Sequence, residues 1–314
     1  MQKVDDLVQK ALSRRSFLAG AGTVAAAGMI AGCGNSTPAP IATSTVKYTD
    51  ADILNFALNL EYLEAEFYLR AATGSGLAAT DTTGTGTAGA VTGGTKVPGL
   101  TAAQQAILNE IAFDEQAHVL FLRKALGSAA VARPAIDLTF FGPLAQVATI
   151  TTSATAFNPF ADFNSFLIGA FIFEDVGVTA YHGAAPLISS AGISAGLLTA
   201  AAGILAVEGY HAAYVRTAIT GIDIAGGAAN LITTANKVAT LRASLGGGNE
   251  TLLKFPTSVS TPSAIVPADV NNAIAFVRTT DQVHHIVYGS ATVGASKGGF
   301  FPAGTNSIFS VTAS

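Results

Sequence analysis

Apolar residues recur at helical spacing in four long stretches of the chain. This spacing predicts helices over residues 50–72, 101–127, 162–188 and 195–220. Capping signals agree with these boundaries, namely capping boxes that begin at Thr49 and Thr101, a candidate N-cap at Ser194, and stops at Gly127 and Gly221. Four such helices predict an all-α four-helix bundle.

The third stretch is apolar nearly all round, which is typical of either a membrane span or a helix at the centre of a bundle. It carries two acids at its middle, Glu174 and Asp175. Charged residues inside a membrane span are costly, so the pattern favours the centre of the bundle.

The connecting segments differ in character. Residues 73–100 are rich in glycine and threonine and predict a mobile loop at one end of the bundle. Residues 128–161 show no clear helical period and are long enough for a crossover between the second and third helices. Two further helices are expected at 228–245 and 267–288, followed by a glycine-rich end at 298–302 that packs back on the bundle.

The first helix carries acids on both of its faces. On one side a polar stripe ends in an i,i+4 pair, Glu66 and Arg70, expected at the surface together with Asp52, Asn55 and Asn59. Glu61 and Glu64 lie on the opposite, apolar side. A buried carboxylate requires a metal, a cation or a proton, so these two glutamates are candidates for chemistry.

Two Glu-x-x-His pairs lie on later apolar faces, Glu115 with His118 and Glu208 with His211. Residues three apart on a helix share a face, so each pair presents a carboxylate and an imidazole to one point. The third helix adds Glu174. A tyrosine follows Glu61 and Glu174 at the same spacing, as Tyr68 and Tyr181, and this match favours Glu61 over Glu64 as the partner of Glu174.

Together these residues form one glutamate from each of two helices and a Glu-x-x-His from each of the other two. This arrangement is typical of bundles that bind two iron or two manganese ions. The predicted ligands are Glu61, Glu115, His118, Glu174, Glu208 and His211.

Other polar residues near these positions have weaker claims. Glu64 could replace Glu61 or support the ligands from outside. The phenols of Tyr68 and Tyr181 could bond a ligand carboxylate or simply pack in the core. Asp114 and Asp175 are expected to support ligands from outside or to be solvated, and three histidines are expected at helix ends or surfaces, namely His182, His284 and His285. The GxGxxG run that begins at Gly84 lacks the strand and helix of a dinucleotide site, so we attribute it to composition.

Three segments carry a family resemblance: 58–68, 115–118, and the tail at 276–283 with 298–304. Through them the chain resembles the ferritin-like superfamily, in particular the bacterial and plant group related to desiccation-associated proteins, over 48–306. The resemblance implies a ferritin-like bundle over 48–221 and a helical extension over 222–314. In rubrerythrin-like relatives the same six-ligand set binds two irons. A rubredoxin module with its cysteines is absent, so no built-in electron donor is implied.

The N-terminus predicts export. Residues 13–18 read Ser-Arg-Arg-Ser-Phe-Leu and precede a weakly apolar run, which resembles a twin-arginine signal peptide over 1–33. The run ends in Ile-Ala-Gly-Cys33, which resembles a lipobox and makes Cys33 a candidate for lipidation. Residues 34–47 predict a linker. The expected partners are therefore the twin-arginine translocase and a membrane reached through the lipid, with a periplasmic or cell-surface location.

Composition adds two limits. The chain has 314 residues, half of them hydrophobic and 11% charged, with a net charge of −4, so nothing indicates nucleic-acid binding. Cys33 is the only cysteine, which excludes an internal disulfide and a cysteine-ligated cluster. Two functions are consistent with the predicted site: a redox enzyme acting on oxygen or peroxide as a ferroxidase, peroxidase or catalase, or a non-catalytic metal-binding or desiccation- and stress-protection protein of the cell envelope. The ligand set suits iron and manganese equally.

Overall fold

A computed structural model describes residues 48–226, 230–254, 265–269 and 271–310. The predicted signal peptide, linker and Cys33 lie outside the described residues. Eight α-helices and two short strands form the described part of the chain. The helices are α1 Asp50–Thr73, α2 Ala102–Leu126, α3 Phe141–Val147, α4 Phe163–Ala184, α5 Ser190–Ser194, α6 Leu197–Ile224, α7 Leu231–Leu245 and α8 Thr280–Val287, and the strands are β1 Val91–Thr92 and β2 Ile136–Asp137.

The four long helices build the predicted all-α bundle. Helix α1 packs mainly against α2, and α4 packs mainly against α6. Both predicted capping boxes are present, with Thr49 and Thr101 accepting from the backbone N–H groups of Asp52 and Gln104. Helix α4, which extends into a short 3₁₀ turn, is long and apolar enough to cross a membrane, but most of it is buried in the bundle, as expected for a central helix.

The fourth bundle helix differs from its predicted boundaries at both ends. Ser194 is not its N-cap but the last residue of α5, and Gly196 separates the two helices with φ 87°. At the other end α6 continues through Gly221 to Ile224. A glycine inside a helix costs only about 1 kcal/mol, which the packing of the buried Ile219 and Thr220 outweighs.

The last predicted helix is much shorter than expected. The residues before Thr280 are not helical, because the side chain of Asp269 accepts hydrogen bonds from the backbone of Asn271, Asn272 and Ile274 and closes a turn. Thr279 then forms a capping box with Gln282 and starts α8. A hydrophobic pattern alone could not show that side-chain bonds compete with the helix here.

The glycine- and threonine-rich segment does not project freely from the bundle. It runs along the crossover, where β1 pairs in parallel with β2, and Thr85 exchanges backbone hydrogen bonds with Ala130 and Ala132. At Gly84 a side chain would collide with the backbone, since an added Cβ would lie 2.4 Å from the Ala130 carbonyl oxygen. The glycine-rich run therefore serves close backbone packing.

The polar side of α1 was predicted at the surface, but most of it is buried because the crossover and the tail cover it. Asn55 donates to the Ala129 carbonyl and accepts from the Val131 amide, and the Asn59 side chain accepts from the Asn306 amide at 2.9 Å. Glu66, predicted at the surface with Arg70, is fully buried and pairs with both Arg70 and Arg133. Helix α1 is therefore covered on nearly all sides.

A buried ion network ties the C-terminal segments to the bundle. Asp175, predicted to support ligands or to be solvated, is buried and turned toward two arginines, with Oδ2 at 2.8 Å from Arg216 and 2.7 Å from Arg242. Glu250 then links Arg242 to Arg278 at 2.8 and 2.6 Å. Two positive groups face Asp175, so its removal would leave buried charge without compensation.

We therefore expect Asp175→Ala to lower the free energy of unfolding by about 3–5 kcal/mol. Replacing the exposed Glu110 by alanine is the control and should change it by less than about 0.5 kcal/mol. Guanidinium unfolding followed by circular dichroism measures both. Equal stabilities of the two variants would show that the network contributes nothing.

Candidate metal centre

The four bundle helices bring all six predicted ligands into one cluster. Helix α1 supplies Glu61 and α4 supplies Glu174, while α2 and α6 supply the two Glu-x-x-His pairs. Each of the six side chains is buried, and the most exposed of them, His118, is only 8% accessible. The helical spacing found in the sequence is what turns these side chains to the same interior point.

The cluster divides into two groups that share one glutamate. In each group the potential ligand atoms lie within 4.8 Å of one another; the groups are Glu61, Glu115, His118 and Glu208, and Glu115, Glu174 and His211. Glu115 reaches both imidazoles with different oxygens, 3.5 Å from His118 Nδ1 and 3.0 Å from His211 Nδ1. Glu115 therefore joins the two groups into one cluster.

Eight potential ligand atoms of the cluster make no hydrogen bond of good geometry to the described residues. Among the buried side-chain atoms without a partner in the described part of the chain are both oxygens of Glu115 and of Glu208, one oxygen of each of the other two glutamates, and Nδ1 of both histidines. Buried polar atoms are normally satisfied, and atoms left open toward one point are what a metal ion requires. The residues present therefore fit a metal centre.

Two tyrosines orient the terminal glutamates across the bundle. The Tyr68 hydroxyl of α1 donates to Glu174 Oε1 on α4, and the Tyr181 hydroxyl of α4 donates to Glu61 Oε1 on α1. Each glutamate thereby keeps Oε2 free toward the cluster. Of the two roles left open for these tyrosines, the structure shows hydrogen bonding to carboxylates, and each tyrosine serves the glutamate of the opposite helix.

Burial and crowding govern the charge of the cluster when no metal is bound. Burial raises the pKa of Glu61 to about 7 and of Glu174 to about 8. Burial alone would lower the pKa of the two imidazoles, but the carboxylates around them raise it to about 11 for His118 and about 10 for His211. Burial would likewise raise the pKa of Glu115, but its two histidine neighbours lower it to about 2. Protons thus take the place of cations, and metal binding must release them.

No arginine or lysine in the described part of the chain pairs with these glutamates. Two other buried acids behave differently, since Glu66 and Asp175 each contact two arginines. Arginines neutralise Glu66 and Asp175 but not the glutamates of the cluster, so these glutamates require protons or another cation.

Comparison with known proteins agrees with this arrangement. The sequence model of the ferritin-like domain matches residues 49–221, more than half of the chain. The chain belongs to the ferritin-like domain family. It is similar to the ferritin-like catalase Nec2 of Nesocodon mauritianus, with 26% identity over 275 residues that cover 84% of this chain and 86% of the relative. It is also similar to the desiccation-related protein PCC13-62 of Craterostigma plantagineum, with 31% identity over 170 residues that cover 54% of this chain and 52% of the relative. No solved structure matches the chain significantly.

Glu64 lies beside the ferritin-like site rather than in either group of potential ligands. It adjoins Glu208 near Gly177 of α4. Burial raises the pKa of both carboxyls well above the usual range. The structure therefore places Glu61 in the cluster and Glu64 next to it.

Asp114 supports the second group from outside. Its Oδ2 lies 3.1 Å from His211 Nε2, and its side chain is 30% exposed. A carboxylate on the far nitrogen of a ligand histidine fixes the orientation of the ring. The sequence indicated an outer position for Asp114, but its histidine partner on another helix could not be read from the chain.

The remaining histidines lie away from the cluster. His284 lies in the last turn of α8, at a helix end as expected, but it is buried against Phe56 and Tyr288 and not at the surface. Burial lowers its pKa to about 4. His182 and His285 are half-buried, with Nδ1 at 3.2 Å from the Phe276 carbonyl and 2.6 Å from the Ser290 carbonyl.

Glu208 packs against Gly177 of α4, a contact that no pattern in the sequence predicted. An added Cβ at Gly177 would lie 2.3 Å from Glu208 Oε2. We therefore expect Gly177→Ala to push this carboxylate aside, to weaken metal binding at least about tenfold, and to lower the free energy of unfolding by about 1–3 kcal/mol.

The matched control is Gly203→Ala in α6, where nothing lies within 4 Å of an added Cβ. This variant should keep its metal affinity and match or exceed the stability of the wild type by up to about 1 kcal/mol. Metal titration with calorimetric detection and chemical unfolding measure both effects. Unchanged metal affinity in Gly177→Ala would show that Glu208 is not held through this contact.

Proposed function

We propose that this protein holds a dinuclear iron or manganese centre and uses it to remove hydrogen peroxide, as a catalase-like enzyme. The observation that carries the proposal is the buried cluster whose glutamates have no arginine or lysine partner among the described residues and whose two groups of potential ligands share Glu115. The similarity to a relative named a ferritin-like catalase, over most of both chains, supports the choice of peroxide as substrate.

In this proposal Glu61, Glu115, His118, Glu174, Glu208 and His211 hold the two ions. Iron or manganese in such a site supplies the electron transfer that peroxide chemistry needs. The chain contributes orientation and exclusion of water: Tyr68 and Tyr181 fix the terminal carboxylates, and Asp114 fixes the ring of His211. Glu64, outside both groups, is a buried carboxyl that can hold a proton beside Glu208.

The test compares the metal content and the peroxide turnover of the wild type with those of a variant of the shared glutamate, Glu115→Gln. Wild-type protein should contain about two metal ions per chain and release oxygen from peroxide. Glu115→Gln should lose most of its metal and at least about a hundredfold of the turnover, because its amide cannot bridge two cations as a carboxylate does. Elemental analysis and an oxygen electrode provide the measurements.

Asp281→Asn is the matched control, since this acid lies in the first turn of α8 and outside the cluster. It should retain metal and turnover within about twofold. A wild-type protein that carries less than about one ion per chain after supply of both metals, with no change in Glu115→Gln, would contradict the proposal.

A second candidate is protection of the cell envelope during drying or stress without turnover. It rests on the similarity of half of the chain to a protein named desiccation-related. This function predicts tightly bound metal with no release of oxygen from peroxide, so the same two measurements separate the candidates.

We further propose that the protein is exported in its folded state by the twin-arginine translocase and anchored through a lipid on Cys33. The paired Arg14 and Arg15 and the lipobox-like residues 30–33 support this. Arg14→Lys combined with Arg15→Lys should leave metal-loaded precursor in the cytoplasm, while Cys33→Ser should release exported protein from membranes. Cell fractionation with elemental analysis of each fraction checks both, and metal-free cytoplasmic precursor would count against folding before export.

A further inference from the structure

A groove between α2 and α6 reaches the metal centre from outside. Its cavity measures about 350 Å³. The apolar walls come from Ile107 and Ile111 on α2 and from Val207 on α6, and the inner end is formed by Asp114 and His211. The groove therefore ends at the far side of a predicted ligand, on the ring nitrogen that faces Asp114.

The groove is larger than peroxide requires. A water molecule occupies about 30 Å³ in the liquid, and peroxide is not much larger, whereas cavities of about 300–1,000 Å³ are typical of organic ligands. A channel that admitted only peroxide would not need this width. The size indicates a small organic molecule of about one ring.

The lining indicates the chemistry of that molecule. Tyr210 stands at the rim with 74% of its surface exposed, and the half-buried Tyr214 lies one turn further along α6. These rings and the aliphatic walls favour an aromatic ring. The ionisable groups of the lining include Asp114 and Glu110 but no lysine or arginine, so a hydrogen-bond donor is favoured and an anion is not.

We propose that this groove binds a phenol, with its ring between the tyrosine rim and the apolar walls and its hydroxyl donating to Asp114, and that the phenol is an electron donor for peroxide. This inference rests on the proposed function. Two phenols and one peroxide give two phenoxyl radicals and two waters. Both phenolic O–H bonds and the O–O bond break, each phenol loses one electron, and the two phenolic protons complete the waters.

A single side chain, that of His211, separates the groove from the other predicted ligands. Asp114 Oδ2 lies 3.1 Å from His211 Nε2, and His211 Nδ1 lies 3.0 Å from Glu115 Oε1. A donor bonded to Asp114 is thus coupled to the predicted ligands through a single imidazole.

The test uses guaiacol, 2-methoxyphenol, with the full chain in metal-loaded and metal-free forms. Saturation-transfer NMR measures binding to both forms, and absorbance measures peroxide-dependent oxidation by the loaded form. Val207→Trp should fill the groove, and we expect it to weaken guaiacol binding and to lower kcat/KM for guaiacol by at least about tenfold. Tyr210→Ala, an exposed position with little risk to folding, should weaken both by about threefold to tenfold.

Ile224→Trp is the matched control, because this residue lies on the same helix, is 66% exposed and is far along the chain from the groove. It should keep guaiacol binding and oxidation within about twofold. Binding of guaiacol by wild type and by Val207→Trp with equal affinity would overturn the groove as the binding site.

These experiments distinguish failure of the phenol inference from failure of the proposed function. Release of oxygen from peroxide by a wild type that neither binds nor oxidises guaiacol would overturn the phenol inference and leave the catalase proposal standing. Guaiacol binding to the metal-free protein that is weakened in both groove variants, together with a metal-loaded wild type that shows no peroxide turnover, would support the site and contradict the proposed chemistry.

Discussion

The structure depends on how its buried carboxylates are neutralised. Glu66 and Asp175 are buried against pairs of arginines, whereas the glutamates of the central cluster have only two imidazoles and one another in the described part of the chain. Repulsion among carboxylates in an apolar interior is large, and protons or metal ions must offset it. The bundle thus combines two kinds of buried charge, one that holds the fold together and one that is kept open for cations.

The two halves of the site are related but not equivalent. The reciprocal bonds of Tyr68 to Glu174 and of Tyr181 to Glu61 treat both terminal glutamates alike. Glu208, in contrast, is a further glutamate of the first group that has no counterpart in the second, and it lies against Gly177 beside Glu64. His211 alone of the two histidines contacts Asp114, at the inner end of the groove. One half therefore faces an interior acid and the other faces the outside.

The sequence predicted the bundle and the six clustered residues because both follow from local spacing on helices. It failed where a side chain's partner comes from a distant segment. Asn59 and Glu66 were predicted at the surface, but the tail and the crossover cover them. Asp175 was predicted to support ligands from outside or to be solvated, but it is paired with Arg216 and Arg242. The region before Thr280 failed for a local reason, since Asp269 bonds the backbone that a helix would use. The spacing of hydrophobic residues reveals neither contacts from distant segments nor local side-chain bonds to the backbone.

Anomalous X-ray diffraction from crystals grown with iron or manganese tests the central claim most directly. The account predicts two peaks at the absorption edge of the bound metal, about 3.5–4 Å apart, with Glu115 between them and one histidine at each. Absence of any peak in the cluster when metal is in excess, or a single ion out of reach of Glu115, would contradict it.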